Sequence, residues 1–321
     1  MRVARSIGVR EVRVEEADDP EAGAGEVVCR VLACGVCGSD VADAWVQPKL
    51  PVVLGHELTG VVEAVGAGVT AVAAGDRVVI HHHAPCGECR RCRRGHETLC
   101  ERFRETALDP GGFAERVRVP ADLADELLAL DGVDAERGTF VEPLACVLRA
   151  FDRCGLRAGD ALLVVGAGTS GLLAIAAAHA RGVEAVWVRE PRPERLERAL
   201  ALGAERHGNE LVDVALCCTA APAALAAAFA AVAPGGVLGM YAPPAPGRTL
   251  ELDGLSLYRR EVDVVASYSA GPADMRAAHA LIAAGRVDPG PLITHRLGLD
   301  ETGRALELAR SGEAIKALVM P

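Results

Sequence analysis

Residues 161–180 read ALLVVGAGTSGLLAIAAAHA: a short apolar run, a turn punctuated by glycine, then a stretch of helix formers. A strand that breaks on G-x-G-x-x-G and resumes as a helix is a turn built to cradle a dinucleotide. Gly166 permits the tight turn, Gly168 lets the backbone approach a pyrophosphate, and Gly171 lets the helix pack on the strand. Thr169 and Ser170 stand at the helix N-terminus, where phosphate is favoured. Such a hexapeptide is common by chance, but here the strand–turn–helix context is joined by Glu190 at the end of the next strand, about 20 residues on. Its carboxylate would accept hydrogen bonds from an adenosine ribose 2′-OH and repel a 2′-phosphate, which favours NAD over NADP. Arg189, Arg192 and Arg195 oppose that preference, because a phosphate could recruit them; Arg192 and Arg195 join the candidate cofactor contacts.

Outward from this turn the chain alternates apolar strands with alanine-rich helices from about Leu144, which predicts a parallel α/β sheet. One unit of the alternation is short. Between the helix ending at Gly203 and the strand starting near Val212 only AERHGNEL remains, so residues 205–209 can form a vestigial edge strand but not a crossover helix. Up to about residue 120 the character differs: Val, Gly and turn residues dominate, with strand-like runs at 26–33, 58–65 and 76–81, as expected of a small antiparallel β-domain.

Two sets of metal-capable residues fall in that region. Cys86, Cys89, Cys92 and Cys100 lie within CGECRRCRRGHETLC, where two C-x-x-C steps and a fourth thiol let one loop close around a tetrahedral zinc. A closed four-thiolate site has no place for substrate, so its binding energy becomes folding energy. The plainer readings, a disulfide pair or unrelated buried thiols, fit this spacing less well in a chain without secretory features. Cys37, His56 and Glu57 bring thiolate, imidazole and carboxylate, ligand types suited to a catalytic zinc that keeps one position open. Taken singly, a GHE tripeptide or one cysteine says little.

Taken together, ACGVCGSD (33–40), GHELTGVVEAVGAGV (55–69), AGDRV (74–78), the four-cysteine loop, GGFAERVRVP (111–120), VEPL (141–144), GAGTSG (166–171) and the closing IKALVMP resemble the zinc-dependent medium-chain dehydrogenase/reductases of the alcohol dehydrogenase superfamily, close to the sorbitol, threonine and polyol branch. The resemblance implies a GroES-like β-rich catalytic domain at 1–143 and 272–321 and a Rossmann-type cofactor domain at 144–271, trimmed between 204 and 211. It further implies two zinc ions per chain, the catalytic one held by Cys37 and His56 with Glu57 or Glu142 as third protein ligand. The activity it implies is NAD(P)-linked, reversible oxidation of a secondary alcohol in a polyol, sugar or hydroxy-amino compound to a ketone, with Ser39 as first proton-relay group. Relatives commonly carry a histidine where this chain has Ala42, which leaves the end of that relay open. The competing reading is a zinc-stabilised binding or structural protein that kept the fold without catalysis.

Trp45 and the run His81–His83 are expected at the substrate pocket, with the loop from Phe103 to Phe113 and the region near Ser267. His82 or His83 is the candidate for touching substrate; alternation along a strand would send His82 opposite to its neighbours. Cys29, Cys34, Cys146, Cys154, Cys217 and Cys218 read as small packing residues, and His96, His179, His207 and His279 as surface or helix histidines.

With 321 residues, half of them hydrophobic, the chain is long enough for two cores. A formal net charge of -10 argues against nucleic acid as partner, and the one dense basic run, Arg90–Arg94, reads as a solvated face of the zinc loop. There is no leader-like apolar stretch and no span suited to a bilayer, so a cytoplasmic enzyme is expected. The segment EVDVVASYSA (261–270) would be an exposed sheet edge in a monomer, and a homodimer or homotetramer is expected to cover it.

Overall fold

A computed structural model describes all residues, 1–321. The chain divides into one compact unit of Met1–Glu142 with Gly271–Pro321 and a second of Pro143–Ala270.

In the first unit the strand Val27–Gly35 lies at the centre of a seven-stranded sheet. It pairs antiparallel with Glu57–Val65, Arg116–Val119 and the C-terminal strand Lys316–Met320. Every second side chain along these strands is apolar and turns inward. Val27, Cys29, Val31, Leu58, Val62, Val117 and Val119 are accordingly buried in one cluster with Val78, Ile80 and Val319. The unit is closed only when the last residues of the chain return beside its early strands, since Leu318 pairs with Gly35 and Val319 with Cys34.

The second unit is a six-stranded parallel sheet. From one edge its strands are Glu205–Arg206, Ala185–Arg189, Ala161–Val165, Val212–Cys217, Val232–Met240 and Asp263–Ala266. That is the dinucleotide-binding order, in which sequence runs outward from a central first strand to one edge and then restarts beside it. Leu162, Leu163, Val164 and Val165 are all buried, as a strand covered on both faces requires. The helix Thr169–Ala180 buries Gly171, Leu172, Leu173, Ala174, Ile175, Ala177 and Ala178, most of them small, and it stops where Gly182 takes a left-handed φ of 86°.

The trimming is present as expected. The edge strand is two residues long, and residues 207–211 run directly to Val212 without a helix. His207 departs from its expected place on the surface. Its side chain is 2% exposed, its Nε2 lies 2.9 Å from the carbonyl of Glu210, and its Nδ1 lies 2.9 Å from the Arg189 guanidinium. Its backbone N–H also bonds to Val188 O at 3.0 Å, so one imidazole pins the shortened segment to its neighbouring strand. The opposite edge, Asp263–Ala266, pairs only with Val232–Met240 and leaves Val264 exposed.

The glycines of the turn have separable causes. Gly166 has φ 97°, open to glycine at little cost. A Cβ on Gly171 would lie 1.9 Å from Gly166 O, so this glycine is demanded by helix-on-turn packing. Gly168 has an ordinary φ of -77°, and a Cβ there would meet nothing closer than an Arg195 nitrogen at 3.8 Å. Gly171→Ala is therefore expected to lower stability by about 1–3 kcal/mol, whereas Gly168→Ala should melt like the parent and lose affinity for a dinucleotide. Thermal unfolding of the two variants checks this, and equal melting temperatures would contradict it.

Candidate metal centres and dinucleotide turn

The four-cysteine loop is folded as a metal cage. Cys86 Sγ lies 3.9 Å from Cys92 Sγ and 3.5 Å from Cys100 Sγ, and Cys89 and Cys92 are 3.5 Å apart. Four sulfurs about 2.3 Å from one ion in a tetrahedron stand about 3.8 Å apart, whereas a disulfide needs about 2.05 Å. The observed spacing fits zinc. The backbone is arranged to suit thiolates: the N–H of Cys89 points at Cys86 Sγ (3.3 Å), that of Cys92 at Cys89 Sγ (3.5 Å) and that of Cys86 at Cys100 Sγ (3.5 Å). Burial works to raise the Cys100 thiol, but these and neighbouring N–H donors outweigh it and bring it down to about 6. The loop's own core is small, with Phe103 fully buried against the cysteines. Arg90, Arg91, Arg93 and Arg94 face solvent, Arg91 paired with Glu101 at 3.0 Å.

The second set is also brought together. Cys37, His56 and Glu57 offer donor atoms within 4.8 Å of one another. Cys37 ends the chain's exit from the strand Val27–Gly35, and Gly55, at φ 93°, turns the chain so that His56 stands just before the strand Glu57–Val65. A Cβ at Gly55 would come within 2.8 Å of Cys34 Sγ and 2.9 Å of Phe113 N. Three donors rather than four leave a tetrahedral ion one open position.

Asp40, which the sequence reading passed over, orients this set. It is 3% exposed, accepts the Cys37 N–H at 3.0 Å, and lies 3.5 Å from His56 Nδ1. The contact leaves Nε2 as the donor nitrogen, in the carboxylate–histidine–metal pattern. Burial works to raise the Asp40 carboxyl, but His56 and the N–H groups of Cys37 and Gly55 outweigh it and hold it below its ordinary value. Burial likewise opposes charge on His56, while Asp40 and Cys37 outweigh it and draw positive charge to the ring, as they would to a cation beside it.

Glu142 lies outside the three-donor set. It is buried at the start of the helix Val141–Cys154 and acts electrostatically on Lys316. Lys316 was not legible as a site residue. It is 1% exposed and its ammonium is hydrogen-bonded to Glu57 Oε2. Ser39 is exposed and donates its backbone N–H to Cys37 Sγ at 3.5 Å.

The histidine run differs from the alternating arrangement expected of it. The strand Arg77–Ile80 ends before His81, so alternation does not apply, and the rings of His82 and His83 pack at 4.1 Å. His82 also lies 4.8 Å from the His56 ring, while His83 Nδ1 is 2.7 Å from the carbonyl of Thr106. Burial pushes His83 down to about 4 and His81 to about 3. Trp45 is 39% exposed, whereas Phe103 and Phe113, which bound the loop expected near the pocket, are buried in the core.

In the second unit Glu190 accepts the backbone N–H of Ala167, inside the glycine turn, at 2.7 Å and that of Arg192 at 2.9 Å. The carboxylate thus stands at the turn with lone pairs to spare. The unfilled space before Gly168 is what close approach by a pyrophosphate requires.

Residues 23–128 match the family model described as alcohol dehydrogenase GroES-like domain, and residues 170–284 match that described as zinc-binding dehydrogenase. The chain is 32% identical to a sorbitol dehydrogenase of Bombyx mori over 97% of its length and 96% of the relative's. It is 32% identical to an L-threonine 3-dehydrogenase of Pyrococcus horikoshii over 95% and 94%. A solved structure from Sinorhizobium meliloti 1021, described as a zinc-binding dehydrogenase bound to NADP, superposes with a TM-score of 0.90 at 27% identity, covering 100% of this chain and 99% of that one.

Cys100→Ser is expected to cost the loop its zinc and to lower the melting temperature, because the metal's binding energy is folding energy there. Differential scanning calorimetry alongside metal analysis checks this; an unchanged melt with full zinc content would contradict the cage.

Proposed function

We propose, for a chain that belongs to the zinc-dependent medium-chain dehydrogenase family, that it oxidises a secondary alcohol of a polyol, sugar or hydroxy-amino compound to the ketone, with a nicotinamide dinucleotide as acceptor. The observation that carries this is the three-donor set of Cys37, His56 and Glu57, within 4.8 Å of one another and oriented by the buried Asp40. Cys37, His56 and Glu57 would hold a zinc that supplies Lewis-acid polarisation, and a nicotinamide dinucleotide held at the glycine turn would supply the hydride acceptor. The chain's residues do the rest. Cys37 and Glu57 would supply negative charge as ligands, Asp40 fixes the His56 ring, and Ser39, exposed beside Cys37, is the proposed first acceptor of the hydroxyl proton. His82, whose ring lies 4.8 Å from that of His56, is the side chain proposed to contact a hydroxylated substrate. Glu57, inside the donor set, is the third ligand on this reading, and Glu142 a buried carboxyl outside that set. A second zinc belongs to the Cys86, Cys89, Cys92 and Cys100 cage.

NAD is the preferred cofactor on this reading. Glu190 sets a carboxylate at the turn where the ribose hydroxyls would lie, and Arg189 is engaged by His207, which removes one of the cations that a 2′-phosphate could recruit. The similar structure from Sinorhizobium meliloti is bound to NADP, so the preference of this chain rests on its own residues at the turn. Eleven cysteines without a disulfide suit a reducing compartment such as the cytoplasm.

Cys37→Ser should abolish turnover on a panel of polyols, secondary alcohols and threonine while the protein melts as the parent does; activity like the parent's would refute the site. Glu190→Ala should raise the KM for NAD and narrow the gap to NADP, since a hydrogen-bond acceptor and a repelling charge are both lost. An unchanged preference would show that Arg192 and Arg195 govern selection. The half-paired strand Asp263–Ala266 and exposed Val264 support a dimer or tetramer joined along that edge. Light scattering at micromolar concentration should then give at least twice the 33.3 kDa chain mass, and a monomeric mass would refute it.

A further inference from the structure

The ammonium of Lys316 and the carboxylate of Glu57 meet across a middle strand. In the sheet register Leu318 lies opposite Gly35, and Gly35 lies opposite Glu57. The two long side chains pass over the one residue between them that lacks a Cβ. A Cβ on Gly35 would stand 2.5 Å from Glu57 Oε2, 2.7 Å from Lys316 Cε and 3.0 Å from Nζ. Both side chains are shut off from water, with exposures of 1% for Lys316 and 2% for Glu57. Nζ has two further partners, Val36 O at 3.3 Å and the Phe140 ring, whose centroid is 5.4 Å away. Burial opposes the charge on Lys316, but Glu57, Cys37 and Glu142 outweigh it and hold the ammonium above its ordinary range.

Glu57 therefore has two cationic claimants. One of its oxygens belongs to the ammonium, and the residue also offers a donor atom within 4.8 Å of those of Cys37 and His56. A carboxylate free at both oxygens can fill two positions of a metal's shell, while one held by a buried cation can fill only one. We propose that Lys316 is a positioning residue for the catalytic metal, restricting Glu57 to single-oxygen donation and so keeping a coordination position free for the alcohol. Gly35 is part of the same device, because it provides the gap through which the pair meets. The inference rests on the reading that Cys37, His56 and Glu57 hold the metal.

The test replaces the catalytic-site metal by Co²⁺ in the intact protein, with zinc kept in the four-cysteine cage, and reads the visible d–d absorption together with the affinity for imidazole as an added ligand. Four-coordinate cobalt absorbs strongly in this region, and five- or six-coordinate cobalt weakly. Lys316→Met should weaken the absorption several-fold and reduce imidazole affinity by about 10- to 100-fold. Lys316→Arg, which keeps a cation, should resemble the parent. Gly35→Ala leaves both charges in place and forces them apart, so it should reproduce the Lys316→Met spectrum and serves in its place if that variant does not fold. Parent-like absorption and imidazole affinity in these two substitutions, whatever happens to their melting temperatures, would overturn the proposal and leave Lys316 a structural residue. A parent protein that takes up no metal outside the cage would instead sink the underlying reading of the site.

Discussion

The return of the C-terminal strand Lys316–Met320 to the side of Val27–Gly35 is the constraint on which the rest of the first unit depends. It joins two stretches far apart in sequence into one sheet and carries a buried cation into the region of the metal donors. A lone lysine or glutamate in that interior would be costly; each is tolerable there because the other is present. Breaking the pair from either side would leave an unpartnered charge, typically worth about 3–5 kcal/mol. The closing residues of the chain thus bear on both the fold and the metal site.

Two glycines show how local constraints reach the chemistry. Gly55 turns His56 out ahead of its strand, in a space already filled by Cys34 and Phe113, and Asp40 then fixes the ring from the neighbouring turn. Gly35 provides the gap over which Lys316 reaches Glu57. The second unit solves a different problem. Without a crossover helix, the two-residue edge strand and the segment after it are held by His207, which bonds to Arg189 and to the carbonyl of Glu210. The shortening therefore bears on the adenosine side of the sheet, where one arginine is engaged within the protein itself.

Much of this was legible in sequence because it is carried by short-range spacing. The glycine turn, the two C-x-x-C steps and the missing residues between Gly203 and Val212 are contiguous, and each has one economical structural solution. Lys316 and Asp40 carried no such signal. The lysine of IKALVMP carries no site signal until the fold brings its ammonium across the strand Val27–Gly35 to Glu57, and Asp40 reads as a turn residue until His56 folds against it. His207 was misplaced for the same reason, since its partner Arg189 lies on the neighbouring strand. The histidine run failed differently: the strand ends at Ile80, one residue too early for period-two reasoning to hold.

The central claim is that the chain builds one closed and one open zinc site. Metal stoichiometry of the purified protein, by inductively coupled plasma mass spectrometry against an amino-acid-analysis concentration, tests it most directly. The account predicts two zinc ions per chain, one for each of the two donor clusters. A value of one per chain, unchanged after incubation with excess zinc, would show that Cys37, His56 and Glu57 do not hold a metal and would contradict the account.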